Sequence, residues 1–401
     1  MQTFHLEPLE NGLYKPSYEN NITEGFTAHA SAFFKEETKT IGDQEIDYSK
    51  KTNLVFLLID GLGRELGYNS NLVDWFSIAG EWRSTVYPTI TPTALTSIFT
   101  GKPPIIHGVT GHLIPWEKAK KIVDFIKAPC LSLTKPNNLI VREGSPLLEE
   151  GFTKQLFPPF IYSFNHANLV QRGVFSYLFG SHMQPFINFT NLYSQIVPLL
   201  KQPHRKIIII YYAMYDIFSH FMGKMSVGAF QVISNIVRFL KKFHTYLPVE
   251  LKLRTTILVG SDHGHEFINR RLKLPEADRK KLESYLYGVG KSGRTLHFYP
   301  KPDKYDEALK FLENHLSSYG LILEKNEIFE LLGNRNGLKT ELAMKRAGSI
   351  HFTSFPGYYL EWPFNKDFFE RGLDFGRKIF YSTEHGGLSL SELQTPFFKV
   401  L

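Results

Sequence analysis

Asp216 and His220 stand four residues apart, Asp262 and His263 are adjacent, and Asp60 and His385 lie far from both pairs along a chain of 401 residues. Carboxylates and imidazoles are the donors that a divalent cation takes. Two such cations about 4 Å apart need them from several chain segments, with an open position on each ion for a phosphate oxygen. An Asp-x-x-x-His pair puts both side chains on one face of a helical turn. An Asp-His dyad in a loop lets neighbouring side chains diverge around an ion, and Gly264 after it permits an unusual backbone turn. Asp60 is followed by Gly61, and His385 by Gly386-Gly387. Taken singly, each also reads as a capping Asp or a hydrogen-bonded core His. Their common position speaks for a shared site.

That position is the end of a short apolar run. NLVFLLI (53–59), KIIIIYY (206–212), TTILVG (255–260) and the weaker RKIFYS (377–382) are rich in Ile, Val, Leu or aromatics. They are too short for stable helices and read as strands buried on both faces of a parallel sheet. Polar residues follow each of them, and ligands of open α/β sheets bind at the carboxyl ends of strands. Helical patterns at 93–100, 227–243 and 306–316 alternate with the runs. The expected fold is therefore α/β, doubly wound, with a mostly parallel central sheet flanked by helices. From about residue 269 to 375 the texture changes to strand-like RTLHFYP, helical DEALKFLENHL and strand-like GLILE, which suits a small α+β cap insertion. The expected organisation is a polar, turn-rich wrapping segment at 1–50, a catalytic core at 51–268 and 376–401, and a cap at 269–375.

The segment VYPTITPTALTSIFTGKPPIIHGVTGH (86–112) supplies a candidate nucleophile. Pro92 is a good first helical residue, which leaves Thr91 at the N-cap. A hydroxyl there meets backbone N–H groups and a macrodipole that favour phosphate, and a bound metal lowers its pKa enough for attack. Thr91 reads equally as a plain cap.

Composition bounds the partners. A net charge of +7 suits an anionic ligand, but the Lys and Arg clusters are short, scattered and mixed with acids, and no nucleic-acid motif accompanies them. The longest apolar stretch, 207–215, falls well short of the roughly 20 residues that cross a bilayer. The N-terminus shows no apolar signal region, and the single cysteine, Cys130, has no partner for a disulfide. A cytoplasmic protein is expected, and the Asn-x-Thr patterns at Asn21 and Asn188 are discounted as glycosylation sites.

Together these residues resemble the alkaline phosphatase superfamily and, within it, the type I phosphodiesterase/nucleotide pyrophosphatase family. The matching order is Asp60, Thr91 in Pro88-Thr-Ile-Thr91, Thr100-Gly101, His107-Gly108, Asp216 with His220, Asp262-His263 and His385-Gly386. The ending HGGLSLSELQTPFF looks like that of prokaryotic members. The resemblance implies an alkaline-phosphatase-like fold, Thr91 as nucleophile, one metal on Asp216, His220 and His385, and another on Asp60, Asp262 and His263 together with Thr91. It implies two divalent metals, most simply zinc with manganese or iron as alternatives, and a small phosphate-ester or nucleotide substrate. Two departures stand out. Members that cleave nucleotide diesters carry an asparagine where this chain has His112, a candidate substrate contact whose protonated imidazole would favour a monoester. Pro92-Thr93-Ala94-Leu95 replaces their Phe-Pro-Asn-His. Tyr162 and Phe164 are assigned to core packing rather than to a nucleobase.

A phosphodiesterase or nucleotide pyrophosphatase is thus expected, with a phosphomonoesterase, a phosphonate hydrolase or a catalytically silent scaffold of the same fold as alternatives. A sulfatase is set aside because Cys130 in APCLSLTK lacks the context of a formylglycine precursor.

Overall fold

The computed structural model describes residues 5–64, 72–74, 79–116, 121–126, 160–166, 174, 178, 183–334, 337, 339–363 and 381–400. A seven-stranded sheet forms the centre, with the strands in the order Gly80–Ser84, Gln394–Val400, Thr255–Gly260, Asn53–Ile59, Lys206–Tyr212, Ile161–His166 and Met183–Phe186. The last five run parallel, and Gln394–Val400 is antiparallel to both of its neighbours. Alternation along each apolar run explains why both faces are covered. Val55, Leu57 and Ile59 join one core with Ile208, Ile210 and the helix Val227–Tyr246. Leu54, Phe56 and Leu58 join the opposite core with Ile207, Ile209 and Phe26 and Phe33 of the helix Ile22–Lys35. Full burial of each such side chain is worth about 1.5–3 kcal/mol, so an uninterrupted apolar strand is stable only when covered on both sides.

Three of the four expected strand runs lie in this sheet with the boundaries read from the sequence. The fourth differs. Residues 377–380 lie outside the described residues, and the next strand is the two-residue Thr383–Glu384, paired outside the central sheet. Its expected place is taken by Gln394–Val400, which a proline and polar neighbours disguise. Pro396 is tolerated because pairing with Thr255–Gly260 starts only at Phe397, leaving Pro396 one strand neighbour, at Trp82. Within residues 1–50, the helix Ile22–Lys35 buries one face on the sheet, so that segment contributes core as well as turns. Phe164 is buried in the core and Tyr162 packs against it, as the sequence predicts.

Two smaller sheets flank the site. Glu266–Leu272 pairs with Gly357–Leu360 on one side and Thr383–Glu384 on the other. This register holds the segment after His263 beside the segment before His385. A six-stranded sheet is built from Gly320–Glu324, Ile350–Ser354, Thr295–Pro300, Leu286–Ser292, Leu113–Trp116 and Lys121–Asp124. It therefore draws two strands from residues 113–124 as well as those after 269. The helices Glu276–Tyr285 and Tyr305–Leu316 share a core with it.

A buried ion pair ties this sheet to the C-terminal segment. Arg294 and Glu392 have fully buried side chains in contact. The Arg294 guanidinium also donates to the carbonyls of Ser354 and Phe355, and its backbone N–H donates to His385 O. Glu392 accepts from the N–H groups of Gly387 and Ser389. One carboxylate thus holds the turn that carries His385. Removing it leaves a buried guanidinium uncompensated, so Glu392→Ala is expected to lower stability by about 3–5 kcal/mol in urea unfolding. A loss below about 1 kcal/mol, the scale of an ordinary surface change, would show that the pair is no clamp.

Candidate metal centre

Three adjacent parallel strands deliver the first donors. Asp60 directly follows Asn53–Ile59, Asp262 and His263 lie two and three residues beyond Thr255–Gly260, and Lys206–Tyr212 leads into the helix Met214–Met222, which carries Asp216 and His220. Because the strands are hydrogen-bonded neighbours in register, their ends converge. His385 arrives from Thr383–Glu384. Two glycines permit the close approach. A Cβ on Gly264 would lie 2.0 Å from Ser391 O, and one on Gly61, at φ +77, would lie 2.6 Å from His265 Nε2.

The donor atoms gather in overlapping sets of three. Asp216, His220 and His385 form one, Asp60, Asp262 and His263 a second, and Asp216, His263 and His265 a third. Asp216 Oδ1 lies 3.3 Å from His220 Nε2 and 3.4 Å from His385 Nε2, and the two imidazole nitrogens are 3.2 Å apart. His263 Nε2 lies 3.4 Å from Asp60 Oδ1 and 3.5 Å from Asp262 Oδ2. Donors bonded to zinc at their usual lengths define a tetrahedron with an edge of roughly 3.3 Å. Both sets match that edge. The rings of His263 and His385 stack at 3.8 Å and join the two sets.

Every imidazole is aimed by its other nitrogen. Nδ1 of His220 lies 3.0 Å from Thr383 O, that of His385 lies 2.9 Å from Thr89 O, and that of His263 lies 3.2 Å from Gly264 O. A carbonyl only accepts, so Nδ1 carries the hydrogen, and whenever the ring is neutral Nε2 presents a lone pair to the centre. Meanwhile Asp60 Oδ1, Asp216 Oδ1, Asp262 Oδ2 and His265 Nε2, all buried, make no hydrogen bond among the described residues. Buried polar atoms without partners are costly unless something else satisfies them. This donor set fits a pair of divalent cations.

The electrostatics point the same way. Burial, with Asp262 and Asp216 alongside, pushes the Asp60 carboxyl well above the usual carboxylate range, although Tyr211 donates a hydrogen bond to it. Burial pushes Asp262 up to about 7. His263 is lowered to about 3 by burial, which keeps it neutral and able to ligate. Burial opposes charge on His220, but Asp216 and Glu384 raise it to about 9. Burial likewise opposes charge on Asp216, and the His220 imidazole nonetheless holds it well below its usual value. The side chains of Asp216 and His220 keep 13% of their exposure while Asp262, His263 and His265 keep none. Access is therefore from the Asp216–His220 side.

Thr91 is brought to the second set. Its helix spans Thr91–Thr100 and is capped by Ile90, so Thr91 is the first helical residue rather than the cap, one position from expectation. No side chain caps this helix, and Thr91 Oγ1 lies 3.1 Å from His263 Nε2. The plain-cap reading of Thr91 is thereby removed. His112 makes contacts of its own: its Nε2 meets buried Asp124 at 2.8 Å, and its N–H donates to Ser292 Oγ. It belongs to none of the three sets found among the described residues. His107, part of the motif, is a buried structural residue held 2.7 Å from Ser97 Oγ. His265 lies outside the residues expected from the sequence. Its signal was the spacing Asp262-His263-Gly264-His265, since residues two apart in extended chain share a side.

A central, mostly parallel sheet with an Asp/His centre at its carboxyl edge defines an alkaline-phosphatase-like α/β protein. The family model described as type I phosphodiesterase/nucleotide pyrophosphatase matches residues 148–387, more than half of the sequence, and the chain belongs to that family. The match spans Asp216, His220, Asp262, His263 and His385 but not Asp60 or Thr91. No curated protein matches the chain in sequence. Among solved structures, murine ectonucleotide pyrophosphatase/phosphodiesterase 5 is similar, with a TM-score of 0.59 and 16% identity over 86% of this chain and 87% of that one. Phosphonoacetate hydrolase from Sinorhizobium meliloti, solved with phosphonoformate, is similar at a TM-score of 0.55 and 15% identity over 91% and 93%. An inactive threonine-to-alanine variant of the murine protein was solved in complex with AMP. No helix of the described residues is long and apolar enough to cross a membrane.

Metal ligands must shed their protons, and in the metal-free protein at about pH 6 both Asp262, at about 7, and His220, at about 9, still hold theirs. Zinc affinity is therefore expected to rise with pH between about 6 and about 9, with protons released on binding. Calorimetry in buffers of different ionisation enthalpy counts those protons. A flat affinity across this range, with no release, would contradict the assignment.

Proposed function

We propose that the chain hydrolyses phosphate esters with Thr91 as nucleophile. One divalent ion would sit on Asp216, His220 and His385, and a second on Asp60, Asp262 and His263 with Thr91. The observation that carries this reading is the Thr91 hydroxyl, held 3.1 Å from His263 Nε2 at the start of a ten-residue helix that no side chain caps. When bound, such ions polarise the ester, lower the pKa of the hydroxyl and neutralise charge developing on the phosphate oxygens. The mixed imidazole and carboxylate set favours zinc, with manganese or iron next.

The protein's own part follows from its geometry. The start of the Thr91–Thr100 helix offers backbone N–H groups and a positive dipole end to a phosphate. The Thr91 hydroxyl, beside the neutral His263, is placed to attack phosphorus. The Thr91 oxygen forms the new bond to phosphorus, the ester alcohol leaves with a proton, and water then releases phosphate or a phosphate monoester and restores the hydroxyl. His385 is kept in place by Thr89, whose carbonyl accepts from its ring and whose Oγ1 accepts from the Gly386 N–H. We read residues 269–375 as a cap, abutting the site through the Arg294 contact with His385 and selecting the leaving group, on a core of 51–268 and 376–401 with 1–50 around it. We place the protein in the cytoplasm, which its single cysteine suits.

Thr91→Ala is expected to lower turnover by several powers of ten while the metals stay bound. Asp262→Asn and His385→Ala are expected to lose metal and activity together. Elemental analysis alongside assay separates the two outcomes, and normal turnover by Thr91→Ala would remove the nucleophile from the account.

A phosphodiester or nucleotide ester is the proposed substrate class, in keeping with the family. Monoester or phosphonate hydrolysis is the second reading, favoured by the His112–Asp124 pair and by the likeness to phosphonoacetate hydrolase. The kcat/KM for bis-p-nitrophenyl phosphate is expected to exceed that for p-nitrophenyl phosphate between about pH 6 and about pH 9, the span of histidine titration. A monoester preference that shifts toward the diester in His112→Asn would instead make His112 the discriminating residue.

A further inference from the structure

His265 shares the geometry of the other three imidazoles although neither the motif nor the two expected ligand sets include it. Its side chain is fully buried, and Nε2 lies 2.9 Å from Asp216 Oδ1. That separation suits a hydrogen bond, yet neither atom makes one among the described residues. The proton on the ring is located by its other side. Thr383 Oγ1 donates its single hydrogen to Ser219 O at 2.6 Å and so can only accept from His265 Nδ1, 3.2 Å away. Nδ1 therefore carries the hydrogen, and in the neutral ring Nε2 points a lone pair toward a carboxylate oxygen. Two lone pairs facing each other at that distance in a buried site repel unless a cation lies between or beside them. Two donors bonded to one ion at right angles stand about 2.9 Å apart.

We propose that His265 is a further metal ligand, donating Nε2 to an ion in the place bounded by Asp216 and His263. These three residues already lie close enough to hold one. The backbone is prepared for it as well. Lys224 Nζ donates to His265 O at 2.6 Å, and only a glycine at position 61 leaves room for the ring nitrogen. Asp216 also belongs to the first set and its carboxylate can be shared, whereas the single lone pair of His263 Nε2 serves one ion, so His265 joins the existing centre rather than standing apart from it. The inference rests on the two-metal reading above.

The test is an X-ray structure of the wild-type protein loaded with one and with two equivalents of zinc, using anomalous scattering to place the ions. A zinc at about 2.0–2.1 Å from His265 Nε2 in either loading state is expected. In parallel, zinc competition on His265→Met, which keeps the side-chain volume and removes the nitrogen, is expected to show at least a tenfold loss of affinity for one ion. Zinc bound only in the other two sets, with His265 Nε2 more than about 3 Å from each ion, would overturn this inference alone. A His265→Met variant that binds both ions as the wild type does would also overturn it. A wild-type protein that takes up no zinc would overturn the two-metal reading with it.

Discussion

Hydrogen bonds at the far side of each histidine ring set the geometry on which the centre depends. His220, His263 and His385 give Nδ1–H to the carbonyls of Thr383, Gly264 and Thr89, and His265 gives it to the Thr383 hydroxyl. Each bond selects the tautomer of the neutral ring and turns its Nε2 inward. Thr383 serves two of the four, and its segment in turn is held against Glu266–Leu272 by strand pairing. An imidazole free to rotate would find other partners for its nitrogens. Fixed in this way, the four rings surround a volume that the carboxylates of Asp60, Asp216 and Asp262 complete.

The sheet makes that arrangement possible and burial gives it force. Parallel neighbours bring Asp60, Asp216 and Asp262 into one desolvated site, where three carboxylates repel. Asp60 and Asp262 are accordingly raised, while Asp216 stays ionised beside His220. Such frustration in the metal-free protein is what a divalent cation relieves. The energy to hold it comes from the surrounding core, two apolar layers on the central sheet and the Arg294–Glu392 pair behind His385.

Most of the clustered Asp and His donors were legible because two sequence patterns coincided with them. Uninterrupted apolar runs at 53–59, 206–212 and 255–260 could only be strands covered on both faces, and the donors follow each one. The i, i+4 spacing likewise placed Asp216 and His220 on one helix face. What escaped was set by tertiary contact. Gln394–Val400 hides its strand character behind Pro396, and the apolar face of Ile22–Lys35 is diluted by Thr, His and Gly. Asp124 could not be paired with His112 until two strands of the six-stranded sheet brought them together. His265 lies beyond the motif, which ends at His263-Gly264, whereas extended geometry carries the pattern two residues past His263.

Metal content decides whether the buried donors are ligands or an unusual structural network. The most direct measurement is elemental analysis of the purified chain after exhaustive dialysis against metal-free buffer. Clustered donors at these spacings predict about two transition-metal ions retained per chain, or restored by added zinc, manganese or iron. A chain that retains none and takes up none would contradict the account at its centre.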